Sequence, residues 1–132
     1  MTFNEMRAAI EGRMATFTGC PIAGDNVPIS DAVQAAQDAN PQDPWCRITI
    51  QDGDRQAVTL GDAVIGNGVI FVQIFTAERS GSSTARTLAD GIASVMQHWR
   101  DTDLKTRTAQ LVRVGPSDGW YQVNVQVPFV AY

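Results

Sequence analysis

The stretch GVIFVQIFTA, residues 68–77, decides the fold. Val69, Ile70, Phe71, Val72, Ile74 and Phe75 make a nearly unbroken apolar run, so a strand built from them is expected to be covered on both faces, in the middle of a sheet. ERSGSS, residues 78–83, follows as a turn with a serine available as N-cap. From Thr84 onward, Leu88, Ile92, Val95 and Trp99 recur at helical spacing, which predicts an amphipathic helix reaching about Arg100 and packed on that sheet.

The chain on either side extends this core. Thr2 and Glu5 have the spacing of a capping box, so a helix starts at once and carries Phe3, Met6, Ile10, Met14 and Phe17 as one apolar stripe through about Thr18, with Gly19 and Pro21 ending it. Residues 20–44 hold four of the six prolines and read as a connector, within which Ser30 could cap two helical turns if Ile29 and Val33 find a surface. WCRITIQ, residues 45–51, alternates as a strand with one wet face. The DGD at Asp52–Asp54 predicts a hairpin turn into RQAVTLG, followed by the glycine-punctuated loop GDAVIGN, residues 61–67.

Beyond the central helix, TRTAQLVRV (106–114) reads as a strand and GPSDG (115–119) as a turn. The closing WYQVNVQVPFVAY alternates cleanly, although Pro128 argues that its end lies at an edge or outside the sheet. Residues 1–132 are thus expected to form a single α+β domain. Its single mixed, mainly antiparallel β-sheet would have about five strands, packed by an N-terminal helix and a long central helix.

With 44% hydrophobic and 18% charged residues, 132 residues suffice for one ordinary core. A net charge of −4 argues against bulk binding to a nucleic-acid backbone. No apolar stretch has the length of a membrane span, and the start of the chain lacks a signal-type apolar core, so no membrane partner is expected. Cys20 and Cys46 lack the spacing of a disulfide framework or zinc site and read as free thiols.

The charges are unevenly spread. Asp25, Asp31, Asp38, Asp43, Asp52, Asp54 and Asp62 against Arg47 and Arg55 leave the middle at −5. Six bases from Arg79 to Arg113 against Asp90, Asp101 and Asp103 leave the later part at +3. Ordinary solvated surface accounts for this, and so would opposite-signed patches meeting between copies in a head-to-tail ring.

No catalytic constellation emerges. His98 is the single histidine and sits in a polar helix end, and the serines around Gly81 fit turn and cap chemistry. Gly61, Gly66 and Gly68 precede a strand, whereas phosphate loops follow one, and DGD lacks the order of a calcium loop. Nothing selects a working pair among fourteen acids, and no cofactor or metal is indicated.

In order along the chain, TFNEMRAAIEGRM, Asn26-Val27-Pro28, Pro44-Trp45 opening WCRITI, GVIFVQIF, the Gly81 turn into TLADGI and GWYQVNVQVPF resemble the bacteriophage tail terminator-like family. The segment Ile29–Asp43 is longer than the usual connection in that family. The resemblance implies a non-enzymatic structural protein that assembles into a ring, usually hexameric. That ring caps the tail tube, ends its polymerisation and offers the head-side connector an attachment surface. Its partners would be copies of itself, the tail tube protein and a head–tail connector or neck protein, with DNA only in transit through the lumen. It would reside at the neck end of the virion tail after assembly in the bacterial host cytoplasm.

On this reading the tube and connector contact loops contain Asp52, Asp54, Arg55, Asp62, Asn67, Glu78 and Arg79. Arg86, Arg100, Lys105 and Arg107 are the candidate inter-subunit charges. The alternative is another neck component, such as a head–tail connector or tail completion protein, and further off a small ligand-binding enzyme.

Overall fold

A computed structural model describes residues 1–57 and 64–132. The elements run α1 (Phe3–Met14), β1 (Ile22–Ala23), α2 (Asp31–Asp38), β2 (Trp45–Ala57), β3 (Val64–Ala77), α3 (Ser83–Met96), β4 (Arg100–Asp101), β5 (Leu104–Thr106), β6 (Gln110–Ser117) and β7 (Trp120–Ala131). The strands are ordered β1-β2-β3-β7-β5-β4, and β6 also pairs with β7. Only β1 and β2 are parallel.

This corrects the expected architecture. Among the described residues the curled sheet has seven strands rather than about five, and three short helices replace an N-terminal helix with a long central one. Each difference has a local cause. DGD is no hairpin turn: β2 runs straight through it, pairing Asp52 with Gly68 and Arg55 with Gly66, so the extra residue is taken up as a bulge. The flank of Gly53 lies against the Asn67 carboxamide, where a side chain would clash. The rest of the expected strand RQAVTLG beyond Ala57, and Asp62 with it, lie outside the described residues.

The expected strand over 106–114 is divided between β5 and β6, both paired along the same side of β7. Pro128 is not at an edge or outside the sheet; it pairs with Val69 inside β7. Its carbonyl accepts the Arg107 N–H at 2.8 Å, so its donorless nitrogen also turns toward the break between β5 and β6, where no ladder hydrogen bond is needed. The turn between β6 and β7 contracts to Asp118-Gly119, both at positive φ (53° and 84°), with Ser117 opposite Trp120.

The central helix stops at Met96, so Trp99 lies beyond it. Thr106 ends it from a distance. The buried Thr106 hydroxyl donates to the Met96 carbonyl at 2.5 Å and accepts the Trp99 N–H at 2.8 Å, leaving His98 in a left-handed turn at φ 54°. The helix face also turns. Ala85, Ala89, Ile92 and Met96 are its buried residues, while Leu88 and Val95 are half-buried. Small alanines let the helix approach the sheet closely.

α1 has both hydrogen bonds of the Thr2–Glu5 capping box, 3.1 Å to the Glu5 N–H and 2.9 Å to the Thr2 N–H. It ends at Met14, before the expected Thr18. Met6, Ile10 and Met14 pack with α3 onto one sheet face, against Cys46, Ile48, Ile70, Val72, Ile74, Val123, Val125, Val127 and Phe129. Gly68 sits where Phe129 crosses the sheet, and a Cβ there would meet the Phe129 ring at 2.6 Å.

The opposite face is covered at one end only. Ser30 caps α2 by accepting the Val33 N–H at 3.3 Å, and Val33 and Ala36 close over Trp45, which stacks on Phe75 at 4.4 Å and meets Trp120 edge-on at 6.1 Å. Val69 and Phe71 on this face stay half-buried, so β3 is not covered on both sides along its length.

Thr106→Val, which keeps the side-chain shape and removes the hydroxyl, is expected to lower stability by about 1–3 kcal/mol by leaving buried backbone groups unpaired. Thr106→Ser should lose much less. Urea unfolding of the two variants against the parent checks this.

Candidate functional site

The candidate contact loops are built at opposite ends of one strand. β3 is 14 residues long, which at the rise of a strand spans roughly 45 Å. At one end β2 and β3 continue past β7: Gly66 pairs with Ala131, the last residue of β7, while Gln56–Ile65 and Ala57–Val64 pair only with each other. At the base of this two-stranded arm, where β7 still flanks β3, lie Asp52, Asp54, Arg55 and Asn67, all exposed. Arg55 is partly committed within the chain. Its guanidinium lies 4.4 Å from the Phe3 ring centroid and donates to the Met1 carbonyl at 3.2 Å, tying the arm to the start of α1.

Glu78 and Arg79 are exposed at the far end of β3. The Glu78 N–H donates to the Gly119 carbonyl at 3.0 Å, so this turn and the Asp118-Gly119 turn sit side by side. Arg79 has φ 66°, and the Ser80 hydroxyl closes the bend on the Ala77 carbonyl at 2.6 Å. The structure therefore brings Asp52, Asp54, Arg55 and Asn67 together, brings Glu78 and Arg79 together, and keeps the two groups apart.

The candidate inter-subunit charges are likewise divided. Arg100 pairs with Lys105 across β4 and β5, and Arg107 follows directly, which concentrates three cations at one corner of the sheet. Arg86 is near the start of α3, about 15 Å of helix away from that corner. All four are exposed, and among the described residues the one ion pair is Arg7 to Glu11, at 2.6 Å within α1.

Two further surfaces escaped the sequence reading. Beside the outer edge of β2, a cleft of about 470 Å³ has Met6, Ile48 and Ile50 in its lining and Glu11, Asp25 and Asp52 around it. A neighbouring cleft of about 270 Å³ extends it toward Met14 and Val27. Phe3 and Val27 flank this region at 56% and 59% exposure. On the other side of the sheet, β6 exposes Leu111, Val112 and Val114 (39%, 40% and 51%). The signal for β6 was present in LVRV, whose apolar residues do not alternate with period two. The cleft had none, because Glu11, Asp25 and Ile50 belong to three distant segments.

Cys20 and Cys46 are free thiols hydrogen-bonded to each other. Donation from Cys46 holds the Cys20 thiol below its ordinary value, whereas the same bond and burial push the Cys46 thiol up. Cys20 is half-buried and Cys46 fully buried. The His98 ring meets the Thr108 hydroxyl at 3.1 Å on the surface. No helix among the described residues is long and apolar enough to cross a membrane.

No family model and no curated protein matches this chain. Among solved structures, one protein whose name states no function superposes with a TM-score of 0.72 at 18% identity, over all of this chain and 96% of that one. A likeness at that identity shows a common fold.

Thiolate is the reactive form, so the lowered Cys20 pKa predicts an alkylation midpoint at lower pH than that of an ordinary cysteine thiol. Cys46 should stay unmodified in the native protein. Cys46→Ala removes the donor and should move the Cys20 profile toward higher pH, as read by mass spectrometry of timed alkylation.

Proposed function

We propose that this chain is a tail terminator, a ring-forming structural protein that caps the tail tube of a long-tailed phage or related prophage element at the neck end of the tail. The observation that carries the reading is the placement of two exposed groups toward the two ends of β3, Asn67 with its β2 neighbours and Glu78 with Arg79, roughly 35 Å apart along the strand. A terminator needs two different faces, one for the tube end and one for the head-side connector. The base of the arm, with Asp52, Asp54 and Asn67, supplies one candidate face, and the paired turns with Glu78 and Arg79 supply the other. The sequence likeness to tail terminators across nearly the whole chain supports the same reading.

Termination is then a competition for one end. The ring must bind the growing tube more tightly than the next tube subunit does, and must then present a surface on which tube growth cannot continue. The net charge of −4 suits a protein that DNA traverses without being retained. Assembly takes place in the bacterial host cytoplasm, with the tube protein and a connector or neck protein as partners.

The test is polymerisation of the cognate tube protein with and without this chain. Stoichiometric addition should stop elongation, and imaging should show a ring at one tube end. Asp54→Lys and Glu78→Lys should each impair binding of one partner, tube or connector, while leaving the mass of the ring unchanged in light scattering. Tubes that keep growing at saturating protein would overturn the reading.

A further inference from the structure

Besides the outer side of the two-residue β4, two longer edges of the sheet lack a partner among the described residues, and they match each other. β1 covers β2 only at Cys46 and Arg47, so the outer side of β2 is uncovered from Ile48 onward. The Cys46 N–H donates outward to the Pro21 carbonyl at 3.0 Å, and by the alternation of a strand Ile50 and Asp52 direct their backbone groups to that same outer side. On the far side of β3 and β7, β6 pairs only with β7. Proteins ordinarily blunt such edges with charge, proline or short strands. In β6 such devices, Pro116 and the bulge between Arg113 and Gly115, lie in the second half, and the strand still exposes Leu111, Val112 and Val114, with Arg113 as its one charge.

We propose that β6 of one copy adds as a strand to the outer edge of β2 of the next, forming the head-to-tail contact of the ring; this inference rests on the ring reading above. The faces agree. Leu111 pairs with Val125 and Arg113 with Val123, so both residues project to the sheet side that carries α1 and α3. Ile48, Ile50 and Asp52 lie on that same side of β2, where the 470 Å³ cleft opens between the strand and α1. Continuing the sheet across the boundary directs Leu111 toward Ile48 and Ile50. Arg113 then comes beside Asp25 and Asp52, exchanging its Tyr121 contact (5.7 Å to the ring) for carboxylates, while Glu11 stays paired with Arg7, the cleft's own cation. A cationic, apolar strand thus meets an acidic cleft with an apolar lining. The two edges belong to different strands on opposite sides of the sheet, so the contact is heterologous and each copy uses both.

The experiment uses two variants of the full chain, one with Leu111→Asp and Val114→Asp, the other with Asp25→Lys and Asp52→Lys. Each keeps one edge intact. Light scattering across a dilution series should show each alone losing self-association by about tenfold or more, while an equimolar mixture recovers a dimer but no ring. Amide exchange over residues 110–117 of the unaltered chain, compared at low and high concentration, should slow on assembly. A ring that survives both sets of substitutions, with exchange in β6 unchanged, overturns the edge pairing and leaves the terminator reading standing. A parent chain that is monomeric at every concentration overturns the pairing for the free protein, and tube capping then tests the terminator reading separately.

Discussion

The pairing of β3 on both of its sides is the constraint on which the rest of the molecule depends. Val64–Ala77 is matched to β2 on one side and, from Gly66 onward, to β7 on the other. Every second residue from Ile70 to Thr76 is essentially buried beneath α1 and α3. Each such aliphatic side chain contributes about 1.5–3 kcal/mol when it leaves water. A slip of one residue would turn all of them to the open face. The same ladder fixes which loops share an end of the sheet. The hairpin arm projects at one end because β3 and β2 outrun β7, and the turns at Glu78 and Asp118 meet at the other because Ala77 lies opposite Trp120.

Around that ladder, small local devices decide where elements stop. A one-residue bulge keeps β2 straight through a sequence that signals a turn. Thr106 closes α3 a full turn before its apolar pattern ends. Pro128 is tolerated in an interior strand because its missing donor faces the break between β5 and β6. That break leaves β6 as a separate flap on β7 whose outer side has no strand partner among the described residues. In physical terms the molecule has one well-buried face, one partly covered face and two sheet edges with unused backbone capacity.

Two kinds of surface follow, and in the ring we propose they would divide the work. The loops at the two ends of β3 lie along the strand direction, so they suit partners stacked above and below. The edges of β2 and β6 lie across it, so they suit neighbours around the proposed ring. Only the second pair combines apolar exposure with opposite charge.

Patterns local in sequence were legible from the sequence alone. The Thr2–Glu5 cap, the Ser30 cap, the alternation of β7 and the apolar run of β3 each depend on residues within a few positions of one another. The turn at Glu78 and Arg79 was readable for the same reason, whereas Asp52 and Asp54, read as a turn, lie inside β2. Tertiary structure alone decided what depends on distant partners. Thr106 ends a helix ten residues upstream, Asn67 lies against the bulged Gly53, and the alanine face of α3 displaces the bulkier stripe because the sheet comes so close. The acidic cleft gathers Glu11, Asp25 and Asp52 from α1, a connector and β2, and no spacing rule links those three. Local backbone preference and periodicity are written in neighbouring residues, whereas a surface that recognises another chain exists only once the sheet has brought remote segments to one edge.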